Sequence, residues 1–509
     1  MDILIQKRYM KLPVSRETSH KTLLFYADGK LILGFTTRLE PAAPQEFHYW
    51  DLRGYVGQEF QLEIDPQVDF APEFTDNIPM EGIYSEPNRP AAHFTSARGW
   101  INDPNGAVFY EGKYHMFFQH NPADSCWGNM SWGHAVSTDL VHWEQLDDAL
   151  LPDEMGTMFS GSAFVDSKNV TGLKENEHDP LLLYYTAAGN TSRLSAGQPY
   201  TQCMAYSTDG GYTFKKYANN PVVPHIVHEN RDPKVVYVPE AEQYYMALFL
   251  DDHCYALLCS DDLLHWQLKQ RVELPGDGEC PDFYSLNTPA GKRYWILAGA
   301  GDRYLVGQMQ NGSFVPVQEA LSLQSRGRSY AAQSFANVPE GKNLRISWNM
   351  TEIPNSIFNC SMCTPLEMTL VEDAHGLRLC ANPILPRKVP VDCYTSPVLL
   401  PGKAQDICLT LQMQPGSSAK LSLLGLDMDI SADRLTVKDT LLALYPKDSA
   451  VDLRIITDTH AVEIYVADGR IFTCIDHMAD YSQNQLSFKV LNGDAALQNI
   501  VVTELPNIW

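Results

Sequence analysis

The sequence predicts an all-β protein: a five-bladed β-propeller followed by a C-terminal β-sandwich, with an additional small N-terminal β domain. Three observations predict this fold. Short runs rich in Tyr, Phe, Val, Leu and Trp recur between Gly, Pro, Asn and Asp residues, whereas long amphipathic helix patterns are scarce. A heptapeptide recurs in the middle of the chain, and the last part alternates apolar and polar residues around a hairpin signal.

Residues 1–88 are predicted to form an N-terminal β-rich module and a linker. Strand-like stretches run from Lys21 to Tyr26, from Lys30 to Thr36 and from Gln58 to Ile64. The Pro- and acid-rich segment FAPEFTDNIPMEGIYSEPNRP follows them, and its composition predicts a linker that lies over a surface.

Residues 89–388 are predicted to form the propeller, because a turn sequence repeats within them. STDLVHW at Ser137–Trp143 and SDDLLHW at Ser260–Trp266 are nearly the same, and STDGGYTF at Ser207–Phe214 is a looser copy. In each copy we expect the Asp to accept hydrogen bonds from nearby backbone N–H groups. Repeats spaced by roughly 50 to 70 residues indicate radial β units, and the length accommodates five four-stranded blades.

Residues 389–509 are predicted to form the C-terminal β-sandwich domain. They follow the proline-punctuated segment NPILPRKVPVD and alternate apolar and polar residues, as in AVEIYVADGRIFTCI. The Asp468-Gly469 pair stands where a tight hairpin turn is expected.

Composition limits the partners. The length of 509 residues agrees with about three domains. Asp and Glu outnumber Lys and Arg by 62 to 38, and the net charge of −24 disfavours nucleic acid as a partner. No apolar stretch reaches the ~20 residues that a membrane helix needs, so we expect no membrane partner.

Cysteine usage bears on the compartment. Eleven scattered cysteines argue against a disulfide framework and for a reducing environment. The N-terminus MDILIQKRYMKLP lacks the pattern of a secretory signal. We therefore expect a cytoplasmic protein, or a secreted one if a leader has been removed.

Three carboxylates stand out because Pro, Gly or Cys flanks each of them. Asp103 lies in WINDPNG, Asp232 in RDPK and Glu279 in GECPD. A residue before Pro is held extended, which aims a short side chain. In a propeller the innermost strands converge, and paired acids with an aromatic surround suit glycoside hydrolysis. Taken singly, each acid is better explained as a turn residue.

A series of motifs resembles glycoside hydrolase family 32, the invertase, inulinase and levanase family. FTSARGWINDPNG at Phe94–Gly106 resembles its signature. Further matches follow in the family's order: YHMFFQ, WG, WGHAVSTDL, FSGS, RDP and ECPD. The C-terminal part is similar to the family's sandwich domain, and the N-terminal part, with KRYMKLP, resembles an extra module of some bacterial levanases.

The resemblance implies a role for each matching residue. Asp103 would be the nucleophile that attacks the anomeric carbon of a terminal fructosyl unit, and Glu279 the general acid and then the base. Asp232 would hold ring hydroxyls and stabilise the transition state, with Arg231 beside it. Retention of configuration implies that the Asp103 and Glu279 carboxyls lie roughly 5 Å apart. The other implied substrate-binding residues are Asn102, Gln119, Trp127, Phe159, Ser160 and Trp348.

The sequence departs from the family over residues 325–367, which shape the leaving-group side of the pocket. SRGRSYA at Ser325–Ala331 lacks the Asp that many relatives have there. The substrate on that side therefore stays open. We interpret Arg326 and Arg328 as solvated charges at a blade edge; the alternative is that they contact an unusual leaving group.

Four histidines, His93, His115, His120 and His134, invite a metal interpretation. No HxH or HExxH spacing accompanies them, and hydrogen bonding within the sheets explains them better. We expect neither a metal nor a cofactor.

Three functional hypotheses follow. The first is a retaining exo-acting β-fructofuranosidase that acts on sucrose, fructo-oligosaccharides or levan- and inulin-type fructans. The second is a fructosyltransferase or difructose-anhydride-processing enzyme with the same site, and the third a catalytically silent fructan-binding protein. The expected partner is thus a fructose-containing saccharide, and a homo-oligomer is a further hypothesis.

Overall fold

The protein, seen in a computed structural model, is built almost wholly of strands. The structure describes residues 1–373, 376–385, 391–394 and 397–509, with the backbone alone for 391–394. Its helices within these ranges are two single 3-10 turns, Pro339–Gly341 and Tyr481–Gln483. No helix of the described residues is long and apolar enough to span a membrane. The all-β prediction is confirmed.

The N-terminal module consists of two small sheets with one core between them. The sheets have the strand orders β1-β6-β3-β4 and β5-β2-β7, and Leu12, Leu23 and Trp50 meet in the shared core. The predicted strand stretches correspond to β3, β4 and β6. The strands are β1 (Asp2–Leu4), β2 (Tyr9–Val14), β3 (Lys21–Ala27), β4 (Lys30–Thr37), β5 (Glu46–Asp51), β6 (Glu59–Asp65) and β7 (Glu73–Thr75).

The next part of the chain, from Gly99 to Pro383, holds twenty-three strands. They are β8 (Gly99–Tyr110), β9 (Lys113–Asn121), β10 (Ser131–Ser137), β11 (Glu144–Leu150), β12 (Thr157–Val165), β13 (Leu181–Ala188), β14 (Thr201–Ser207), β15 (Lys215–Lys216), β16 (Arg231–Val238), β17 (Gln243–Asp251), β18 (Cys254–Ser260), β19 (Gln267–Glu273), β20 (Asp282–Asn287), β21 (Arg293–Ala298), β22 (Arg303–Gln310), β23 (Ser313–Pro316), β24 (Leu321–Ser322), β25 (Ser329–Ser334), β26 (Asn343–Asn349), β27 (Phe358–Asn359), β28 (Ser361–Met362), β29 (Leu366–Asp373) and β30 (Gly376–Pro383).

These strands form the five blades of a propeller. Four antiparallel strands make up each blade, in the orders β8–β11, β12–β15, β16–β19, β20–β23 and β25-β26-β29-β30. The first strands contact one another in sequence, and β25 returns to β8, which closes the ring. The short strand β27 also pairs in parallel with β8. The predicted number of blades agrees with this arrangement.

The repeated heptapeptides form the turns between the third and fourth strands of their blades. The Ser137 hydroxyl accepts a hydrogen bond from the Leu140 N–H, and Asp139 accepts bonds from the N–H groups of Val141 and His142. The copy that begins at Ser260 repeats this pattern. The predicted role of the Asp is confirmed.

The C-terminal region is a sandwich of two six-stranded sheets around a single apolar core. The sheet orders are β31-β42-β33-β38-β39-β40 and β32-β41-β34-β35-β36-β37. The Asp468-Gly469 pair lies in the hairpin between β39 and β40, as predicted. The predicted boundary at residues 388 and 389 lies outside the described residues. The strands are β31 (Val391–Tyr394), β32 (Val398–Leu399), β33 (Gln405–Met413), β34 (Ser418–Leu423), β35 (Leu426–Ser431), β36 (Arg434–Val437), β37 (Thr440–Ala443), β38 (Ala450–Thr457), β39 (Ala461–Val466), β40 (Ile471–Asp476), β41 (Gln485–Asn492) and β42 (Ala495–Glu504).

Candidate active site

The first of the three carboxylates, Asp103, lies in β8 at the propeller axis. Its Oδ2 accepts a hydrogen bond of 2.6 Å from the Ser160 hydroxyl in β12, and its Oδ1 accepts one of 3.3 Å from the Asn102 amide. The Trp100 indole N–H donates to the Asn102 side-chain oxygen at 3.0 Å and so orients that amide. Burial raises the pKa of Asp103, with the Glu279 charge acting in the same direction and the donors opposing it.

Asp232, in β16 of the third blade, faces Asp103 across the Cys280 thiol. The Cys280 Sγ lies 3.5 Å from Oδ2 of Asp103 and 3.4 Å from Oδ2 of Asp232. The same Asp232 oxygen accepts the Cys280 backbone N–H at 2.9 Å, and the Asp232 N–H donates to the Thr186 hydroxyl. Burial raises the pKa of Asp232 to about 7, with the Asp103 charge adding to the shift and Arg231 opposing it.

Glu279 lies in the turn before β20 and is more open than the two aspartates, with a side chain that is 39% exposed. Its Oε1 accepts a hydrogen bond of 2.6 Å from the Arg231 guanidinium, and its Oε2 accepts one of 2.7 Å from the Tyr330 hydroxyl. Arg231 also lies 3.8 Å from Asp232, so one cation contacts both acids. A partly exposed carboxylate held by two donors is placed to exchange protons with a bound molecule.

The backbone explains how the strands aim these groups. The pairing of β8 is irregular between Ile101 and Pro104, and that of β16 between Arg231 and Lys234. Asp103 and Asp232 therefore lie within β-bulges, where a side chain is turned out of the normal alternation. Both were predicted to lie in turns, and the structure corrects this, because the strands continue through each Asp-Pro pair.

Aromatic side chains line one side of this acid cluster. The exposed Trp127 ring lies edge to face with Phe159 at 6.2 Å, and Phe159 in turn contacts Tyr200 at 5.8 Å. Trp348 pairs across the strands with Tyr330, and their rings are 6.4 Å apart. Both predicted tryptophans are thus linked to the cluster, Trp127 through Phe159 and Trp348 through Tyr330.

Gln119 occupies a position behind this wall. It is buried, and its amide donates to the backbone oxygen of Met158 at 2.8 Å, directly before Phe159 and Ser160. The structure therefore brings it next to the segment that carries those two predicted residues.

Sequence reasoning missed two residues of the cluster. Tyr330 bonds Glu279, and Tyr200 extends the aromatic wall towards Arg231 and Asp232, whose charges act on it. Tyr330 stands within the divergent segment SRGRSYA, whose expected position on the leaving-group side of the pocket was the available signal. Tyr200 follows Pro199 before β14 and has no comparable pattern.

The two arginines of that segment point to the sandwich. Arg326 lies 3.8 Å from Asp439, and Arg328 lies 3.6 Å from Asp476, with both side chains half exposed or more. These contacts favour the interpretation as solvated edge charges over contact with a leaving group.

Two groups of side chains in the described residues have metal-like spacing: His20, Asp124 and Cys126, and the buried Cys363, Glu463 and Cys474. Protein donors already occupy both carboxylates. Arg38 binds Asp124, and the Thr364 N–H and the Tyr465 hydroxyl bind Glu463. The four histidines bond within the protein: His93 to Asp458, His120 to Asp148, and His115 to His134.

The fold and the site together define a glycoside hydrolase: acids from separate blades meet at one axis, with aromatic rings beside them. The family profile described as "Glycosyl hydrolases family 32 N-terminal domain" matches residues 93–383, more than half of the chain. The chain belongs to glycoside hydrolase family 32.

Known relatives agree with this assignment. The chain is 29% identical over 503 residues to a levanase of Bacillus subtilis (strain 168), covering 86% of this chain and 73% of that one. It is also 29% identical to a levanase of Bacillus sp. (strain L7), a match that covers 99% of this chain, N-terminal module included, and 61% of that longer protein. The solved structure of a β-fructofuranosidase from Schwanniomyces occidentalis complexed with fructosyl-erythritol has a TM-score of 0.73 and 25% identity, over 84% of this chain and all of that one.

Proposed function

We propose that this enzyme is a retaining exo-acting β-fructofuranosidase. It would release terminal non-reducing β-D-fructosyl residues from sucrose, fructo-oligosaccharides or levan- and inulin-type fructans. One observation carries the proposal: Asp103, Asp232 and Glu279, which are distant in sequence, share one network through Cys280 and Arg231. The levanase relatives support the substrate class.

The proposed first step is attack of Asp103 Oδ on the anomeric carbon. The bond from that carbon to the glycosidic oxygen breaks, and Glu279 donates its proton to the leaving oxygen. Ser160 and Asn102 fix the orientation of the attacking carboxylate through their hydrogen bonds. The second step is hydrolysis of the Asp103 ester by a water molecule whose proton passes to Glu279.

Asp232 supports both steps by binding rather than by bond formation. Its raised pKa indicates that the empty site holds a proton near neutrality. Sugar hydroxyls that donate to the Asp232 and Asp103 carboxylates would replace that proton and favour the charged forms. Positive charge that develops on the fructosyl ring is then balanced by the two aspartates.

Substitution of the two reacting acids tests the proposal. We expect Asp103→Asn and Glu279→Gln to reduce fructose release from sucrose by more than about a thousandfold, because each removes a reacting group. Tyr245→Phe, which loses a hydrogen bond from the third blade to the Gly312 backbone oxygen of the fourth, is a matched control for folding. Wild-type turnover in both acid variants would contradict the proposal.

The stereochemistry is tested by transfer to methanol. A retaining enzyme forms the methyl fructofuranoside with the β configuration, and an α product would exclude the double displacement. The same assay, run at high sucrose, distinguishes hydrolysis from the fructosyltransferase hypothesis by the appearance of longer saccharides.

A cytoplasmic location remains a further proposal. It is supported by the ten cysteines of the described residues, all of which are free thiols. Fractionation of the native host tests it.

A further inference from the structure

A groove of about 580 Å³ lies between the N-terminal module and the propeller. One wall is the face of the module's sheet that carries Thr22, Leu24 and Gly34 on β3 and β4. The other wall is formed by propeller loops, at residues 127–130 and 190–196. We infer that this groove is a second sugar-binding site, which holds distal units of a fructan chain; the inference rests on the proposed function.

One side chain connects the groove with the active site. Trp127 lines the groove, is 55% exposed, and contacts Phe159. Phe159 directly precedes Ser160, which bonds Asp103. A ligand that leaves the acid cluster past Phe159 therefore meets the Trp127 ring first. Exposed aromatic rings beside polar groups are typical of ligand-binding grooves.

The chemistry of the lining fits a neutral polyol. Thr22, Thr36 and Asn190 offer hydroxyl and amide groups, and the exposed Trp127 ring offers an apolar surface. His20 and Arg193 are the ionisable residues of the lining, and Arg193 is already paired with Asp65 of the module. Uncharged donors and acceptors around an apolar surface match a saccharide better than a charged ligand.

Hydrogen bonds and an ion pair fix the two walls of the groove relative to each other. Asn129 exchanges two hydrogen bonds with the backbone of Thr36, at 2.9 and 2.6 Å. Arg38 of the module binds Asp124, three residues before Trp127. The module therefore does two things at once: it closes one side of the groove, and it fixes the loop that carries Trp127.

The groove predicts that kcat/KM depends on the length of the saccharide chain. A bulky side chain inside the groove should remove this dependence. Thr22→Trp fills the groove from the module side, whereas Gln61→Trp places the same side chain on an exposed position of β6 outside the groove. We expect Thr22→Trp to lower the ratio of kcat/KM for levan or inulin chains to kcat/KM for sucrose by about tenfold, the equivalent of one or two lost hydrogen bonds. Gln61→Trp should keep the wild-type ratio.

Binding to an inactive enzyme separates the groove from the chemistry. Calorimetric titration of Asp103→Asn with levan- and inulin-derived oligosaccharides should give a dissociation constant that Thr22→Trp weakens by about tenfold and Gln61→Trp leaves near its parent value. Equal ratios and equal affinities for Thr22→Trp and Gln61→Trp would overturn the inference while the proposed function stands. A wild-type enzyme inactive on every fructoside would instead refute the proposed function. If Thr22→Trp converts a dimer to a monomer without a change in either quantity, a second copy occupies the groove and the inference fails.

Discussion

At the scale of single residues, the site is defined by two aspartates whose pKa values are raised by burial. Asp232 is 5% exposed and shares the Cys280 thiol with Asp103. Burial is the main reason why both pKa values are raised, and nearby carboxylate charge adds to it: that of Glu279 on Asp103, and that of Asp103 and Glu279 on Asp232. Arg231 and the Cys280 N–H limit the effect on Asp232 but do not remove it.

The raised pKa of Asp232 predicts a pH-dependent cost in stability. Between about pH 4 and about pH 7 the unfolded chain releases this proton and the folded chain keeps it, so the folded protein loses stability as the pH rises through this window. Asp232→Asn has no such proton. We expect the difference in free energy of unfolding, Asp232→Asn minus wild type, to increase by a few kcal/mol between about pH 4 and about pH 7. Above that range the difference should stay constant. Urea unfolding at about pH 5 and about pH 7.5 measures this; a constant difference would contradict it.

Tyr330 is predicted to position Glu279. Its hydroxyl donates at 2.7 Å to the carboxylate that would exchange the proton with the leaving group. Tyr330→Phe should lower kcat about tenfold with a smaller change in KM, because the lost bond orients a reacting group. Steady-state kinetics on sucrose and the pH profile of kcat test this. A change in KM alone would assign Tyr330 to substrate binding instead.

At the scale of elements, four of the five inner strands carry an irregularity at or directly beside their functional residue. The register shifts at Asp103 in β8, Ser160 in β12 and Asp232 in β16, and directly after Tyr330 in β25. A bulge turns one extra side chain out of the sheet, so the same device aims a different group in each blade. Glu279 is the exception, since it lies in the turn before β20.

Gly161 makes the bulge in β12 close-packed. A Cβ atom at this position would lie 1.9 Å from the backbone oxygen of Tyr184 in the neighbouring strand. We expect Gly161→Ala to destabilise the protein by about 1 to 3 kcal/mol and to reduce turnover, because the shift displaces Ser160 from Asp103. Thermal unfolding and sucrose kinetics measure both effects.

The matched substitution is Gly54→Ala, which meets no atom within 4 Å. It should leave both properties near the wild-type values. Equal effects of the two substitutions would show that the close approach at Gly161 does not matter.

What the sequence could predict at this scale depended on local chemistry. The hydrogen bonds of Asp139 and Asp262 in the blade turns were predictable, because an Asp side chain accepts them from N–H groups only a few residues further along the chain. The bulges were not, because a register shift is decided by the partner strand. For the same reason Tyr330 was missed: its contact with Glu279 joins residues that are distant along the chain.

At the scale of the whole molecule, the propeller and the sandwich meet through a buried ion cluster. His93, which precedes β8, contacts Asp458 at 2.8 Å and Glu463 at 3.3 Å, and all three are buried. The two carboxylates hold the pKa of His93 well above its usual value despite burial, and the imidazolium lowers the pKa values of Asp458 and Glu463. The cluster therefore stabilises the interface above the acidic range and loses effect only as the pH rises past the high pKa of His93.

Removal of the cation should leave two buried carboxylates unpaired. His93→Leu is expected to cost about 3 to 5 kcal/mol near neutral pH, and less at about pH 5, where the unpaired acids take up protons. Calorimetric unfolding at the two pH values tests this. An equal loss at both would assign the effect to packing alone.

The three-part architecture was predictable because each part has its own periodicity and turn chemistry. How the parts contact each other was not. The groove beside Trp127 joins strands of residues 21–37 to loops more than ninety residues further on, and no local pattern marks it.

The ring of blades has one further consequence. Asp103, Ser160, Asp232, Glu279 and Tyr330 each come from a different blade or its entry turn, so no subset of blades contains the whole catalytic apparatus. A chain with four blades assembled and one detached would keep most of its β structure and be inert. We therefore expect that, on heating, activity is lost before the β structure, because opening the ring at any blade separates the catalytic groups.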